Sequence, residues 1–300
     1  MPFLINRSSF VSCKEYPMFR TFLWSSVAAA LVSTSALAGS GSHAVSDKVI
    51  AKQRAALAAA TKGKGFGPQS PRDINARKGV NHRAFSTAPR ASEMMLCDIH
   101  FHENAEHKGG EFTTFAGNGD GHGFGTGFKY NGKLTKAELA PVKMKVGAGK
   151  HGDLVPGDTI EIHFVHSTAQ ATLGNTLGTC LSKAIGNPQL RVETVVAVLV
   201  SKGGNDFAKV AQIKKINGLN QVPNLPTNLG SPVVYDGSTT GPKYNKKGSP
   251  FQVTWSVRPK VMKLSIASVD KWLRNNPFGE DHAHGVRNLV TNSDLLSQIK

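Results

Sequence analysis

The eleven residues Cys97 to His107, CDIHFHENAEH, hold three histidines, three carboxylates and a cysteine. These are the side chains that bind transition metals and move protons. If Asp98 to His102 is extended, alternate residues share a face. Asp98, His100 and His102 then project together, while Ile99 and Phe101 point the other way. Two imidazoles about 7 Å apart along one strand can share an ion, because each Zn–N bond is about 2 Å long. A third nitrogen is offered by the later stretch TIEIHFVHS, in which the same alternation groups Glu161, His163 and Val165. His163 on a neighbouring strand would complete a three-histidine set with one tetrahedral position left for solvent, the pattern of a catalytic zinc site. Asp98 and Glu161 lie on the ligand face, where each can accept the outer N–H of an imidazole and hold its tautomer.

Other metal motifs fail on spacing. His102-Glu103 begins like H-E-x-x-H, but the next histidine, His107, comes one residue too late, and H-x-x-E-H fails by one residue as well. His282-x-His284 follows the loop-like NNPFGED with no strand pattern around it and reads as structural. The glycine-rich run Ala116 to Phe128, AGNGDGHGFGTGF, is followed by no helix pattern, so it lacks the helix N-terminus that a phosphate cradle needs. It reads as a flexible loop or hairpin.

The elements that must position these residues are mostly strands. Cys97 to His102, Asp158 to His166, Val192 to Val200 and Phe251 to Val257 are rich in β-branched and aromatic residues and are separated by Gly, Pro and Asn clusters. A helix is predicted from Ser46 to Thr61, with Ser46 as N-cap and Gly63 as its stop, and a short one in SIASVDKWLRNN from Ser265. The expected fold is mainly β (α+β): a large central, mostly antiparallel twisted sheet with short peripheral helices. A doubly wound parallel sheet is excluded by the lack of alternating amphipathic helices.

Residues 1–38 read as a signal peptide, with Met18 an alternative start: Arg20 precedes the apolar run Phe22 to Leu31, and Ala36 and Ala38 supply small residues for cleavage. Residues 39–65 form an N-terminal helical segment and 66–300 the catalytic domain. The expected location is periplasmic or secreted, with no membrane span. Loss of the leader lowers the net charge from +16 to +14. The Lys and Arg residues are scattered with no aromatic-interleaved stripe, so a nucleic-acid partner is not expected. Cys13 leaves with the leader, and Cys97 and Cys180 remain as the only pair, expected to form a disulfide in an oxidising compartment.

Five segments in order resemble one family. HFHENAEHKGGEF with EIHFVHS is similar to the δ-class carbonic anhydrases and, more distantly, to the α class. GPQSPRDI (Gly67 to Ile74), YDGSTTGP (Tyr235 to Pro242) and FQVTWSV resemble further α-class segments. The resemblance implies an α-carbonic-anhydrase-like fold and a Zn2+ enzyme that reversibly hydrates carbon dioxide to bicarbonate and a proton through zinc-bound hydroxide. His100, His102 and His163 match the zinc ligands. Glu106 matches a glutamate that accepts a hydrogen bond from a threonine, and Thr240 matches that threonine. Val165, Val196 and Trp255 match the apolar wall for carbon dioxide, and Cys97 with Cys180 fits a δ-like disulfide. His82 is the candidate for passing protons to buffer, with His107 and His122 as rivals. A non-catalytic zinc-binding module of the same fold is the second reading; the presence of all three histidines, Glu106 and Thr240 argues against it.

Overall fold

A computed structural model describes residues 44–300 apart from 84, 148 and 176. The predicted leader and Met18 therefore lie outside the described residues. Helix α1 (Asp47–Thr61) begins after Ser46, whose side chain makes no capping hydrogen bond, and ends before Gly63, whose φ of +69° suits glycine. The strands are β1 (Met95–Glu103), β2 (Thr114–Phe115), β3 (Phe128–Lys129), β4 (Thr159–Ser167), β5 (Leu190–Val200), β6 (Lys214–Ile216), β7 (Leu219–Gln221), β8 (Val233–Ser238), β9 (Gln252–Val257) and β10 (Met262–Ser265). Two further helices are α2 (Phe207–Val210) and α3 (Ile266–Arg274).

Six strands form the main sheet in the order β1-β4-β5-β9-β8, with β10 paired to β5. The pairs β1/β4, β4/β5 and β8/β9 are antiparallel, but β5/β9 and β10/β5 are parallel. Three of the five pairings are thus antiparallel, in keeping with the expected mostly antiparallel sheet, and the two parallel ones make it mixed. Parallel neighbours require crossover connections, and strand composition carries no record of those.

Every residue of β4 is buried, so both faces of the sheet are covered. One face packs Ile99, Phe101, Ile162, Phe164, Val195 and Leu199 against α2 and α3 through Phe207 and Trp272. Phe101, Phe207 and Trp272 meet with ring centroids 4.8 to 6.1 Å apart. The opposite face packs Val165, Val192, Val253 and Trp255 with Tyr235, Phe112 and Cys97. A β-bulge between Leu96 and Asp98 lets Leu96 join the first core while Cys97 joins the second. The disulfide Cys97–Cys180 is formed there, and both cysteines are fully buried.

The glycine-rich run is the loop of a hairpin, since β2 pairs antiparallel with β3. At Gly119, φ is +58° and a Cβ would stand 2.0 Å from Phe124 O, so only glycine fits. Helix α1 holds this loop: Gln53 Nε2 donates to Gly121 O at 2.8 Å, and Asn118 Nδ2 donates to Asp47 Oδ1 at 2.7 Å.

His166, on the helix-covered face of β4, gives the fold a pH dependence. Burial is the largest influence on it and lowers its pKa to about 4, with Glu193 pulling upward and Arg191 downward. The unfolded chain binds this proton below about pH 6.5, whereas the folded chain binds it only near 4. Between these values the unfolded state holds more protons, so stability falls as pH falls, by on the order of 3 kcal/mol across the window. Urea unfolding from pH 7 to pH 4.5 should record the decline, and His166→Gln should flatten it; an equal slope in both proteins contradicts the assignment.

Candidate metal centre

The register of β1 against β4 sets His100 directly opposite His163, and His102 opposite Glu161. Cross-strand partners share a face, so one side of the sheet carries all four groups with Asp98. Ring centroids lie 5.1 Å apart for His100/His102, 5.1 Å for His100/His163 and 4.7 Å for His102/His163. One ring nitrogen of each falls within 4.8 Å of the others. His102 and His163 are buried and His100 is partly exposed, which makes it the member nearest solvent.

The outer nitrogen of each ring is held. His100 Nδ1 donates to Asp98 Oδ2 at 2.6 Å, His163 Nε2 to Glu161 Oε1 at 2.7 Å, and His102 Nδ1 to Gly285 O at 3.1 Å. With these protons fixed, the inner nitrogens His100 Nε2, His102 Nε2 and His163 Nδ1 are left to face one another. His102 Nε2 is buried without any hydrogen-bond partner, and His163 Nδ1 stands 3.3 Å from His100 Nε2. Lone pairs gathered this closely in a buried place need a positive charge among them. For His102 and His163 the titration directions agree. Burial, followed by the neighbouring His100 and His284, pushes His102 well below the usual range, and burial holds His163 down to about 4. For His100 burial also acts downward, but attraction to and hydrogen bonding with Asp98 outweigh it and raise the pKa. Three imidazoles whose inner nitrogens converge on one point are a donor set that a divalent cation with nitrogen ligands fits.

A second layer supports the first. Glu161 is fully buried and accepts from His107 N and His107 Nδ1 as well as from His163; burial opposes its charge, but the contacts with His107 and His163 keep it well below the usual carboxylate range. His107 Nε2 is paired with Tyr235 Oη at 2.7 Å, and Tyr235 Oη with Ser70 Oγ at 3.0 Å. Glu106 Oε1 accepts from Arg287 N at 2.9 Å, whereas its Oε2 is buried without a partner. Burial raises the Glu106 pKa.

Not every sequence-selected residue meets the others. No hydrogen bond joins Thr240 to Glu106 among the described residues. His82 is exposed and lines a surface cavity of about 750 Å³ with Thr61, Phe66 and Asp294, away from the three histidines. His107 is fully buried. Val196 pairs with Glu161, whereas Val192 pairs with Val165 on one side and Trp255 on the other. Val165, Val192 and Trp255 thus form one cross-strand row, Val196 lies in the same buried cluster, and Trp255 stands 5.0 Å from the His163 ring. Sequence reasoning passed over Val192 although it lay in a predicted strand, because alternation fixes the face and leaves the row open. Gly285 and Arg287 were unreadable for another reason: both serve the site through backbone atoms, which leave no mark in residue type.

A family model described as Delta carbonic anhydrase matches residues 91–268. No curated protein gives a significant match. Among solved structures, the α-carbonic anhydrase of Thermovibrio ammonificans, in complex with the inhibitor sulfanilamide, is 20% identical, with 76% of this chain and 85% of that chain covered at a TM-score of 0.26. The α-carbonic anhydrase of Photobacterium profundum is 18% identical, covering 82% and 95% at 0.27. A halotolerant carbonic anhydrase from Dunaliella salina is 17% identical, covering 79% and 87% at 0.33.

Proposed function

Because the chain belongs to the delta carbonic anhydrase family, we propose that it catalyses the reversible hydration of carbon dioxide to bicarbonate and a proton, with zinc held by His100, His102 and His163. The observation that carries this reading is the meeting of three imidazole nitrogens whose outer partners are already fixed. When bound, zinc supplies Lewis acidity that makes a water nucleophilic near neutral pH, as is known for carbonic anhydrases.

The chain's own groups do the rest. Asp98, Glu161 and Gly285 O keep the ligand rings oriented. Val165, Val192 and Trp255 form an apolar wall that suits carbon dioxide and keeps bulk water back. Glu106 is clamped at Oε1 by Arg287 N–H, which leaves Oε2 to accept a hydrogen bond from the Thr240 hydroxyl once the two approach. Thr240, so oriented, would accept a hydrogen bond from the attacking nucleophile and aim its lone pair at the substrate. The disulfide, and the lack among the described residues of any helix long and apolar enough to cross a membrane, fit an extracellular protein; we place it in the periplasm or outside the cell, behind a leader at residues 1–38.

Stopped-flow hydration of carbon dioxide by the purified protein, with metal content measured on the same sample, tests the reading. Stoichiometric zinc with hydration well above the buffer rate is expected. Stoichiometric zinc with no hydration favours a binding module that has kept the site.

A further inference from the structure

Cations that are scattered along the sequence are gathered by the fold around Phe66. No Asp or Glu occurs from 48 to 72, from 74 to 92 or from 237 to 269, so wherever these segments meet the surface is cationic. They do meet. Asn81 Nδ2 donates to Phe66 O at 3.2 Å, and Gln69 Nε2 donates to Ser249 O at 3.1 Å. A Cβ at Gly65 would stand 2.7 Å from Arg83 Nη2, and one at Gly248 would stand 2.5 Å from the Phe66 ring. Lys62 and Lys64 flank Gly63, and Lys246 and Lys247 lead into Gly248, so five exposed cations including Arg83 surround one ring.

None of the five is held in an ion pair among the described residues. Lys62, His82 and Arg83 line the surface cavity of about 750 Å³, in which Asp294 is the only carboxylate among the described residues. Like charges left side by side on a surface repel one another, and an anionic partner relieves them. The apolar neighbours say which partner fits. Val80, 53% exposed, lines the same cavity, and the exposed Phe85 lies over Gly67, where a Cβ would stand 2.3 Å from its ring. A soluble polyanion leaves such side chains in water. The interfacial zone of a lipid bilayer takes them up while its headgroups meet the Lys and Arg side chains.

We propose that this face docks the protein on the surface of an anionic phospholipid bilayer, with Lys62, Lys64, Arg83, Lys246 and Lys247 at the headgroups and Val80 and Phe85 dipping between them. None of these residues takes part in the metal centre, so the proposal stands or falls apart from the catalytic reading.

Sedimentation of the purified full-length protein with vesicles tests it, using phosphatidylcholine alone and phosphatidylcholine mixed with phosphatidylglycerol. Binding to the mixed vesicles only is expected, and it should be lost in 1 M salt, where charges are screened within roughly 3 Å. One Lys or Arg near an anionic bilayer is worth about fivefold in partitioning, so Lys62→Gln, Lys64→Gln and Lys246→Gln together should weaken binding about a hundredfold. Val80→Ser leaves the charge unaltered and should weaken it severalfold. Lys209→Gln, Lys215→Gln and Lys271→Gln, on α2, β6 and α3, remove the same charge outside the patch and should weaken it far less. All variants should keep the native circular dichroism spectrum. Equal losses in the two triple variants assign binding to net charge and overturn the proposal. It is overturned as well by binding to polyphosphate with none to vesicles, by no binding to either, and by vesicle binding that no substitution in the patch alters, which is what insertion of the apolar leader would give.

Discussion

His163→Ala is expected to lose zinc and, with it, carbon dioxide hydration, while the sheet stays folded. The substitution removes one of three converging nitrogens and leaves Glu161 Oε1 with a single remaining imidazole partner, His107. Loss of an outer partner of a ligand commonly costs 10- to 100-fold in affinity or activity, and loss of the ligand itself should cost more. His163 lies in the middle of β4, whose backbone pairing on both sides does not depend on its ring, so the far-ultraviolet circular dichroism spectrum should hold. Metal analysis after dialysis and stopped-flow hydration are the measurements. Native zinc content together with native hydration in this variant would show that the three rings are not the ligand set.

The second large effect concerns stability. Cys97→Ala with Cys180→Ala removes a bridge across a sequence separation of 83 residues. In the chain-entropy model a loop of that length is worth ~4 to 5 kcal/mol, a large share of the 5 to 15 kcal/mol by which domains are commonly stable. The double substitution avoids an unpaired thiol. Urea unfolding should move to a clearly lower midpoint, and the untreated and reduced native proteins should differ in the same sense. Coincident curves for variant and native protein would mean that the unfolded chain gains nothing from release of the bridge. Because Cys97 immediately precedes Asp98, which holds the His100 ring, weaker zinc retention should accompany the lost stability.

How far these residues could be read in advance follows from what each one uses. The strands around His100 and His163 were legible because a two-residue period shows itself in residue type, and observed β1 and β4 contain or nearly match the predicted spans. Helix α1 ran as its apolar spacing and Gly63 suggested. The match of Glu161 to its partner was legible too, since a carboxylate two residues from a histidine on a strand shares its face. Register across strands was not. Val192 rather than Val196 stands beside Trp255 because β5 and β9 pair in parallel at that offset, and nothing local encodes an offset between segments some sixty residues apart. His82 was chosen for its part of the chain, although its spacing to the histidine pair is shorter than the α pattern; the chain from Val80 runs beside the C-terminal residues Ser293 and Leu296. His284 looked like a loop residue because its partner strand is only a single bridge long.

The surplus residue at position 97 has a mechanical meaning for the whole strand. It acts as a phase shifter: the half of β1 before it and the half after it can each obey a strict alternation, yet the two halves answer to opposite sides of the protein. Leu96 dissolves in the helix-covered layer while the next residues serve the ion, and a deletion of one residue at this point would rotate the leading half by half a turn. Length, and not only chemistry, is therefore under tight constraint at the start of this strand, and a one-residue gap there would be more damaging than most single replacements along it.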